Sequence, residues 1–434
     1  MFMLTKTKRV DRPGADTGHS LSVCRFRACH RGAAGLCVLL SLCFCVLLCG
    51  DAFADGLLPA PGTAAEDEKT AQAADLFGTA GVGVSTSANA HLLMEADSGA
   101  VLAQKNADER LPMASTTKIM TAYVAIRSLP LDTRVTVTEE AVGVEGSSVY
   151  LIKGEVLTLE ELLYAMLLES ANDAAAAIAV AVSGSVAAFA DKMNQQAAAL
   201  GLTNTHFVNP HGLDDEQHYT TAYELAVITR AALSDPVFRT IVSTRQKVIP
   251  LHGDEGVRLL LNHNKLLRLY DGCIGVKTGF TKHTGRCLVS AAERDGVTLI
   301  AVTLGCPDDW HDHASLLDYG FSLCESVQLC APGDRIIPLW VESGTTEYVM
   351  TENRDGLTVT LPRGHGRIRE VVEMPRFSFA PVTEEETVGR LVWLLETDGG
   401  TVRLGEMPLY AVSSAEEIEY RRSLWDKLRD RFTS

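Results

Sequence analysis

Strand-like runs at the two ends of a helix-patterned middle are what most constrain this chain. His91-Leu92-Leu93-Met94 and Val101-Leu102-Ala103 flank Asp97-Ser98-Gly99, the pattern of a hairpin. After Ser115 the apolar residues Ile119, Met120, Tyr123 and Ile126 recur at helical spacing. Further helical segments are predicted around 159–168, 172–183, 186–200 and 221–233. Strand-like runs return only at 273–278, 286–292 and 297–304, before a closing helix from Leu316 to Cys324. Strands first, helices in the middle and strands last predict an α+β layer arrangement, with the final strands pairing beside the early hairpin.

A second region begins near Val327. Short β-type runs at 335–341, 357–361, 388–393 and 401–404 lie between Gly, Pro and Asp turns, which predicts a small all-β domain over 327–412. Residues 413–434 are expected to form an amphipathic helix. Ile418, Leu424, Trp425, Leu428 and Phe432 fall on one side at about 100° per residue, with Arg421 projecting into that stripe. A membrane-surface helix and a helix packed back on the β-domain both fit that pattern.

The N-terminus reads as an export signal over 1–54. Seven basic residues precede an uncharged run from Gly32 to Gly50, followed by Ala52-Phe53-Ala54. Basic, apolar, then A-x-A is the order of a secretory signal peptide, with a retained N-terminal anchor as the alternative. Residues 55–88, rich in Ala, Gly, Pro, Asp and Glu, read as a tether that carries no core, so the catalytic unit is expected over 89–326. Beyond residue 54 the chain holds 32 basic and 52 acidic residues, a net charge of −20. Nucleic-acid binding needs a basic footprint and is excluded as the expected role. Five cysteines remain there (Cys273, Cys287, Cys306, Cys324 and Cys330), an odd number without a C-x-x-C pair, so buried thiols are expected rather than a disulfide framework.

Three short motifs carry chemistry. Ser115-Thr116-Thr117-Lys118 follows Pro112 at a helix start, where i, i+3 spacing puts the hydroxyl and the amine on one helical face. A hydroxyl becomes a nucleophile only with a base beside it, and a neutral amine can serve. Ser170-Ala171-Asn172 sits between two helical segments, where a loop side chain can enter a cleft. Lys277-Thr278-Gly279 ends a strand-like run. A basic residue and a hydroxyl there can hold a carboxylate, and glycine admits a substrate backbone. Another S-x-N, Ser87-Ala88-Asn89, precedes the S-x-x-K in the tether and is set aside. A lysine of ordinary pKa near 10.4 is only about 0.04% neutral at pH 7, so Lys118 must lie in a site that disfavours the ammonium.

S-x-x-K, S-x-N and K-T-G in that order resemble the motif set of penicillin-binding proteins and class A β-lactamases. From about Ala90 to Phe321 the chain resembles the serine-type D-alanyl-D-alanine carboxypeptidases. The resemblance extends to Asp97-Ser98-Gly99, Asn209-Pro210-His211-Gly212-Leu213, Asn262-His263-Asn264-Lys265-Leu266-Leu267 and Gly275 to Thr281. It implies an antiparallel sheet with helices on both faces and a helical subdomain, and a stalk-like β-domain with a membrane-surface anchor. The family's usual Gly inside the second motif is Ala171 here.

The resemblance also implies roles. Ser115 would attack the D-Ala-D-Ala carbonyl of a peptidoglycan stem peptide, Lys118 would be the base, and Ser170 and Lys277 would relay protons. Asn172 would bind the substrate amide. Thr278 would hold the terminal carboxylate, and the backbone N–H groups of Ser115 and Phe280 would form the oxyanion hole beside Gly279. β-Lactams would acylate Ser115. No cofactor is implied. Without an E-x-x-L-N between the second and third motifs, a β-lactamase is disfavoured. A D,D-endopeptidase or a non-catalytic sensor are the other readings. Arg286 is expected to add positive charge near the substrate carboxylate. A hairpin turning near 280–284 would put Gly279 near Arg286 and Cys273 near Ala292, with no bond between Cys273 and Cys287. His311-Asp312-His313 reads as a polar helix start rather than a metal site.

Overall fold

The computed structural model describes residues 75–77, 84–252, 256–397 and 400–419. The export-signal reading therefore falls outside the described residues, as does most of the tether.

Strands β1 (Ala90–Glu95) and β2 (Val101–Lys105) form the expected hairpin around a left-handed Gly99. A 3-10 turn, Ala114–Thr117, leads into α1 (Lys118–Ser128). A small ribbon, β3 (Arg134–Thr136) with β4 (Val156–Thr158), precedes α2 (Leu159–Leu168). Thr158 caps α2 in a reciprocal box with Glu161, which satisfies two otherwise orphaned N–H groups. Helices α3 (Asn172–Ser183), α4 (Val186–Ala199), α5 (Ala222–Leu233) and α6 (Pro236–Ser243) follow. A second ribbon, β5 (Gln246–Leu251) with β6 (Gly256–Leu261), and a single helical turn, α7 (Leu266–Leu269), lead to the final strands. These are β7 (Cys273–Thr281), β8 (Gly285–Arg294) and β9 (Val297–Leu304), closed by α8 (Asp309–Leu323).

The central sheet runs β2-β1-β9-β8-β7, antiparallel throughout. The late strands thus pair beside the early hairpin. Alternation in the strands feeds two cores. Leu92, Met94, Val289, Ala291, Ile300 and Val302 pack into the helical side, while Leu93, Leu288, Ala292, Leu299 and Ala301 pack under α8. His313 of α8 faces the central sheet. It lies fully buried, with Ser290 and Thr303 hydroxyls on its two ring nitrogens, and ties the helix to the sheet. Among the described residues all five cysteines are free. Cys273 pairs with Ala292 as expected, and Gly279 faces Cys287, one residue from the expected Arg286.

The β-rich region contains β10 (Cys324–Cys330), β11 (Ile336–Glu342), β12 (Tyr348–Glu352), β13 (Leu357–Pro362), β14 (Ile368–Glu373), β15 (Phe377–Phe379), β16 (Thr387–Thr397) and β17 (Gly400–Ala411). Six of these form one sheet, β14-β16-β17-β12-β11-β15, and β10 pairs with β13. β10 starts directly after α8, so its first residue precedes the expected boundary at 327.

Two expectations need correction. The tether is not free of core: Leu76 packs in the β-rich region's cluster, Phe77 packs under the central sheet, and Ala88 is buried. An apolar pair inside a small-residue run is enough to anchor it. Ser87 of the discarded S-x-N donates to Asp312 on α8 (2.7 Å). Nor are residues 413–419 helical. Ala415 bridges Val382 and Glu417 bridges Gly344, so this stretch completes β-type pairing before any helix can begin, and residues 420–434 lie outside the described residues.

Candidate active site

The S-x-x-K sits where the 3-10 turn becomes α1. Ala114, just before Ser115, holds a left-handed φ of +47°, costly for a residue with a Cβ. A loop from the Asn209-Pro210-His211-Gly212 motif fills the space against this turn. Gly212 has φ +89°, and a Cβ there would lie 1.9 Å from the Ala114 carbonyl oxygen, so only glycine fits.

Lys118 is completely buried. Its Nζ contacts Asn172 Oδ1 (2.6 Å), the His211 carbonyl (2.6 Å) and Ser115 Oγ (2.9 Å). Two of these partners can only accept. A neutral amine has two N–H bonds and one lone pair. The two acceptors take both N–H bonds, which leaves the lone pair for the Ser115 hydroxyl proton. Burial, then the neighbouring Lys277, push the Lys118 pKa well below that of an ordinary lysine. The site therefore favours the protonation state that a base needs.

The S-x-N occupies the joint between α2 and α3. Ser170 is buried with φ +60°, and Asn172 opens α3. Asn172 Nδ2 donates to the Glu145 carbonyl (2.5 Å), which fixes its oxygen toward Lys118. Asp173 collects Ser148 Oγ and the N–H groups of Val149 and Leu151, so the 145–151 loop is bound to the same helix start.

The K-T-G lies on β7, the edge strand of the central sheet. An edge strand leaves alternate backbone groups free to pair with an extended ligand. Lys277 is buried, donates to the Thr278 carbonyl (3.0 Å), and burial lowers its pKa to about 7. A Cβ on Gly279 would come 3.1 Å from the Ser115 nitrogen and 3.2 Å from the Met113 oxygen, so β7 approaches the Ser115 turn closely. Phe280 keeps its backbone in β7 and its side chain in solvent. Thr281 Oγ1 donates to Asp214 (2.8 Å), tying the end of β7 to the loop after Gly212.

Arg286 departs from expectation. Its guanidinium is paired with Asp309 (2.8 Å) and stacked over Trp310, so its charge is already countered. The motifs did not point to His218. Val208 N–H donates to its Nδ1 (3.1 Å), so Nε2 carries the proton and donates to Thr117 Oγ1 (2.7 Å). Thr117 in turn donates to the Ala114 carbonyl (2.8 Å). Burial lowers the His218 pKa to about 4, which keeps this relay in the neutral form. The only sequence signal was a lone histidine seven residues after His211.

The sequence pattern of the D-alanyl-D-alanine carboxypeptidase family matches residues 76–308. The chain belongs to this family. It is 32% identical over 334 residues to the D-alanyl-D-alanine carboxypeptidase DacF of Bacillus subtilis, covering 75% of this chain and 85% of that one. Among solved structures it is similar to penicillin binding protein 5 from Haemophilus influenzae, with a TM-score of 0.59 and 28% identity over 77% of this chain and 98% of that one. It is also similar to the Streptomyces K15 DD-transpeptidase, with a TM-score of 0.53 and 35% identity over 55% of this chain and 98% of that one. The chain is thus a serine-type D-alanyl-D-alanine carboxypeptidase. The first of these structural relatives spans the β-rich region as well as the catalytic unit, whereas the second matches little more than half of the chain.

Proposed function

We propose that this carboxypeptidase removes the terminal D-alanine of peptidoglycan stem peptides through an acyl-enzyme on Ser115. The observation that carries this reading is the contact set of Lys118 Nζ, two acceptors and one hydroxyl. Ser115 Oγ attacks the carbonyl carbon of the penultimate D-alanine as its proton passes to Lys118. The oxyanion forms against the backbone N–H groups of Ser115 and Phe280, where each donor is worth roughly 10²–10³ in rate. Ser170 and Lys277 carry a proton to the departing amine, D-alanine leaves, and water cleaves the ester by the reverse sequence. Asn172 holds the substrate amide. Thr278, backed by Lys277, holds the terminal carboxylate, and Gly279 leaves room for the peptide along β7. With its charge engaged by Asp309, Arg286 contributes at most a distant field to that carboxylate. β-Lactams present a strained amide to the same hydroxyl and remain as an ester.

The basic, apolar, A-x-A order of the N-terminus supports export, and peptidoglycan as substrate requires it. The sequence from Tyr420 onward, basic with an apolar stripe, supports peripheral contact with a membrane. Mass spectrometry after benzylpenicillin treatment is expected to find one adduct, on Ser115. Incubation with a pentapeptide ending in D-Ala-D-Ala is expected to release D-alanine. An adduct elsewhere, or D-alanine release by Ser115→Ala, would overturn the assignment.

A further inference from the structure

Burial is inverted at one end of the β-rich sheet. In β11 the residues Leu339 and Val341 are buried, while Ile336, Pro338 and Trp340 on the other face are exposed. Strand register sets Tyr348 of β12 opposite Trp340, with Phe377 of β15 on the other side. Trp340 and Tyr348 meet edge to face at 5.7 Å, and Phe377 meets Phe379 at 5.4 Å. Phe379 is 67% exposed, Ile336 59% and Trp340 53%. Scattered apolar residues on a surface are ordinary, but a contiguous aromatic face marks an interaction site.

Two observations identify what covers it. Aromatic side chains with a polar edge, such as Trp and Tyr, concentrate at the boundary between lipid and water. The course of the chain points the same way. Ile418 N–H donates to the Ser343 carbonyl (2.9 Å) and the Glu416 carbonyl accepts from Thr345 (2.8 Å), so the backbone runs out beside the end of β11 with Ile418 half exposed. The next fifteen residues, 420–434, contain five basic and two acidic side chains, with Leu424, Trp425, Leu428 and Phe432 recurring at helical spacing in the sequence. That charge suits an anionic bilayer, whereas the sheet face itself carries Glu342 opposite Phe379 and Glu352 opposite Ile336. The attraction comes from the segment and the apolar contact from the sheet.

We propose that the face formed by Ile336, Trp340, Tyr348, Phe377 and Phe379 rests on an anionic lipid bilayer, next to the segment that follows Ile418. The inference rests on the extracytoplasmic, membrane-peripheral reading above and adds a folded lipid-contacting surface to it. One short apolar contact binds membranes weakly and reversibly, and two on one body hold far more firmly.

The test uses the full chain with phosphatidylglycerol–phosphatidylethanolamine vesicles in a sedimentation assay. One variant carries Trp340→Ser, Phe377→Ser and Phe379→Ser. A second carries Leu424→Gln, Trp425→Gln and Leu428→Gln. The wild type is expected to bind, and each variant to lose at least about tenfold in partitioning, with penicillin acylation of Ser115 unchanged. Wild-type binding by the sheet variant would overturn this inference and leave the membrane-peripheral reading intact. A wild type that ignores these vesicles would overturn both. If residues 420–434 fold back over the sheet face instead, the second variant would bind vesicles more tightly than the wild type, which also overturns the proposal.

Discussion

The catalytic pocket and the outer face of β11 depart from ordinary burial in opposite directions. The pocket encloses two lysines, a serine and an asparagine that elsewhere would sit in water. The β-rich sheet exposes Trp340, Phe377 and Phe379, which elsewhere would sit in a core. Each inversion lowers stability unless something else compensates. In the pocket, hydrogen bonds from fixed partners do so, and the displaced pKa of Lys118 is the functional return. On the sheet, no partner within the described residues does so, and the compensation has to arrive from outside.

The comparison is broken most severely at Lys118. Lys118→Arg keeps the cation but cannot supply a lone pair. It is expected to lower acylation by fluorescent penicillin by more than about 10³-fold. Normal labelling of Lys118→Arg would remove the amine from the mechanism. Next comes the positioning chain His218–Thr117–Ala114. His218→Leu should slow acylation by about 10–100-fold through misplacement of the Ser115 turn. His218→Gln, whose amide offers both a donor and an acceptor, should recover most of that rate. Equal losses in both variants would mean that His218 only fills space.

A smaller effect concerns pH. Because burial and Lys277 depress the Lys118 pKa, its neutral form persists to lower pH than that of an ordinary lysine. Acylation rates should fall less steeply between pH 9 and pH 8 than the nearly tenfold per unit of an ordinary lysine, and a full tenfold drop would contradict the depressed pKa. The same shift has a stability consequence. Lys277 holds fewer protons folded than unfolded between about 7 and its ordinary pKa, so its contribution makes the fold more stable as pH rises through that window. The smallest effect is expected on the other side of the comparison. Trp340→Ser removes exposed surface only, so its acylation rate and thermal midpoint should match the wild type. A marked drop in either would show that the aromatic face is internal support.

The helix 159–168 was legible because Leu159, Leu162, Leu163, Met166 and Leu167 repeat at helical spacing, and 172–183 because its alanine-rich run has high helix propensity. β9 was legible as a continuous apolar run bounded by Gly296 and Gly305. The ribbon β5–β6 was not, because Val248, Val257, Leu259 and Leu261 face solvent and hide the alternation. β12, β14 and β15 are short, and tertiary pairing rather than composition makes them strands. Within the site, Ser115 and Lys118 meet as their i, i+3 spacing required, whereas the contact of Asn172 with Lys118 comes from tertiary packing that no spacing reveals. The carbonyl of His211 could not be read, since a backbone acceptor leaves no trace in residue type. The pairing of Arg286 was equally hidden: nothing local says that Asp309, 23 residues on, would claim it.

Leu76 and Phe77 are neighbours in sequence, yet, each partly buried, one packs against the core of the β-rich region and the other against the core beneath the central sheet. A single peptide link therefore rivets the two bodies together, and β10 leaves α8 without slack on the opposite strand of chain. Hinging would have to extract one of these side chains. Any surface that held the proposed aromatic face would, through such a joint, also set the orientation of the catalytic pocket.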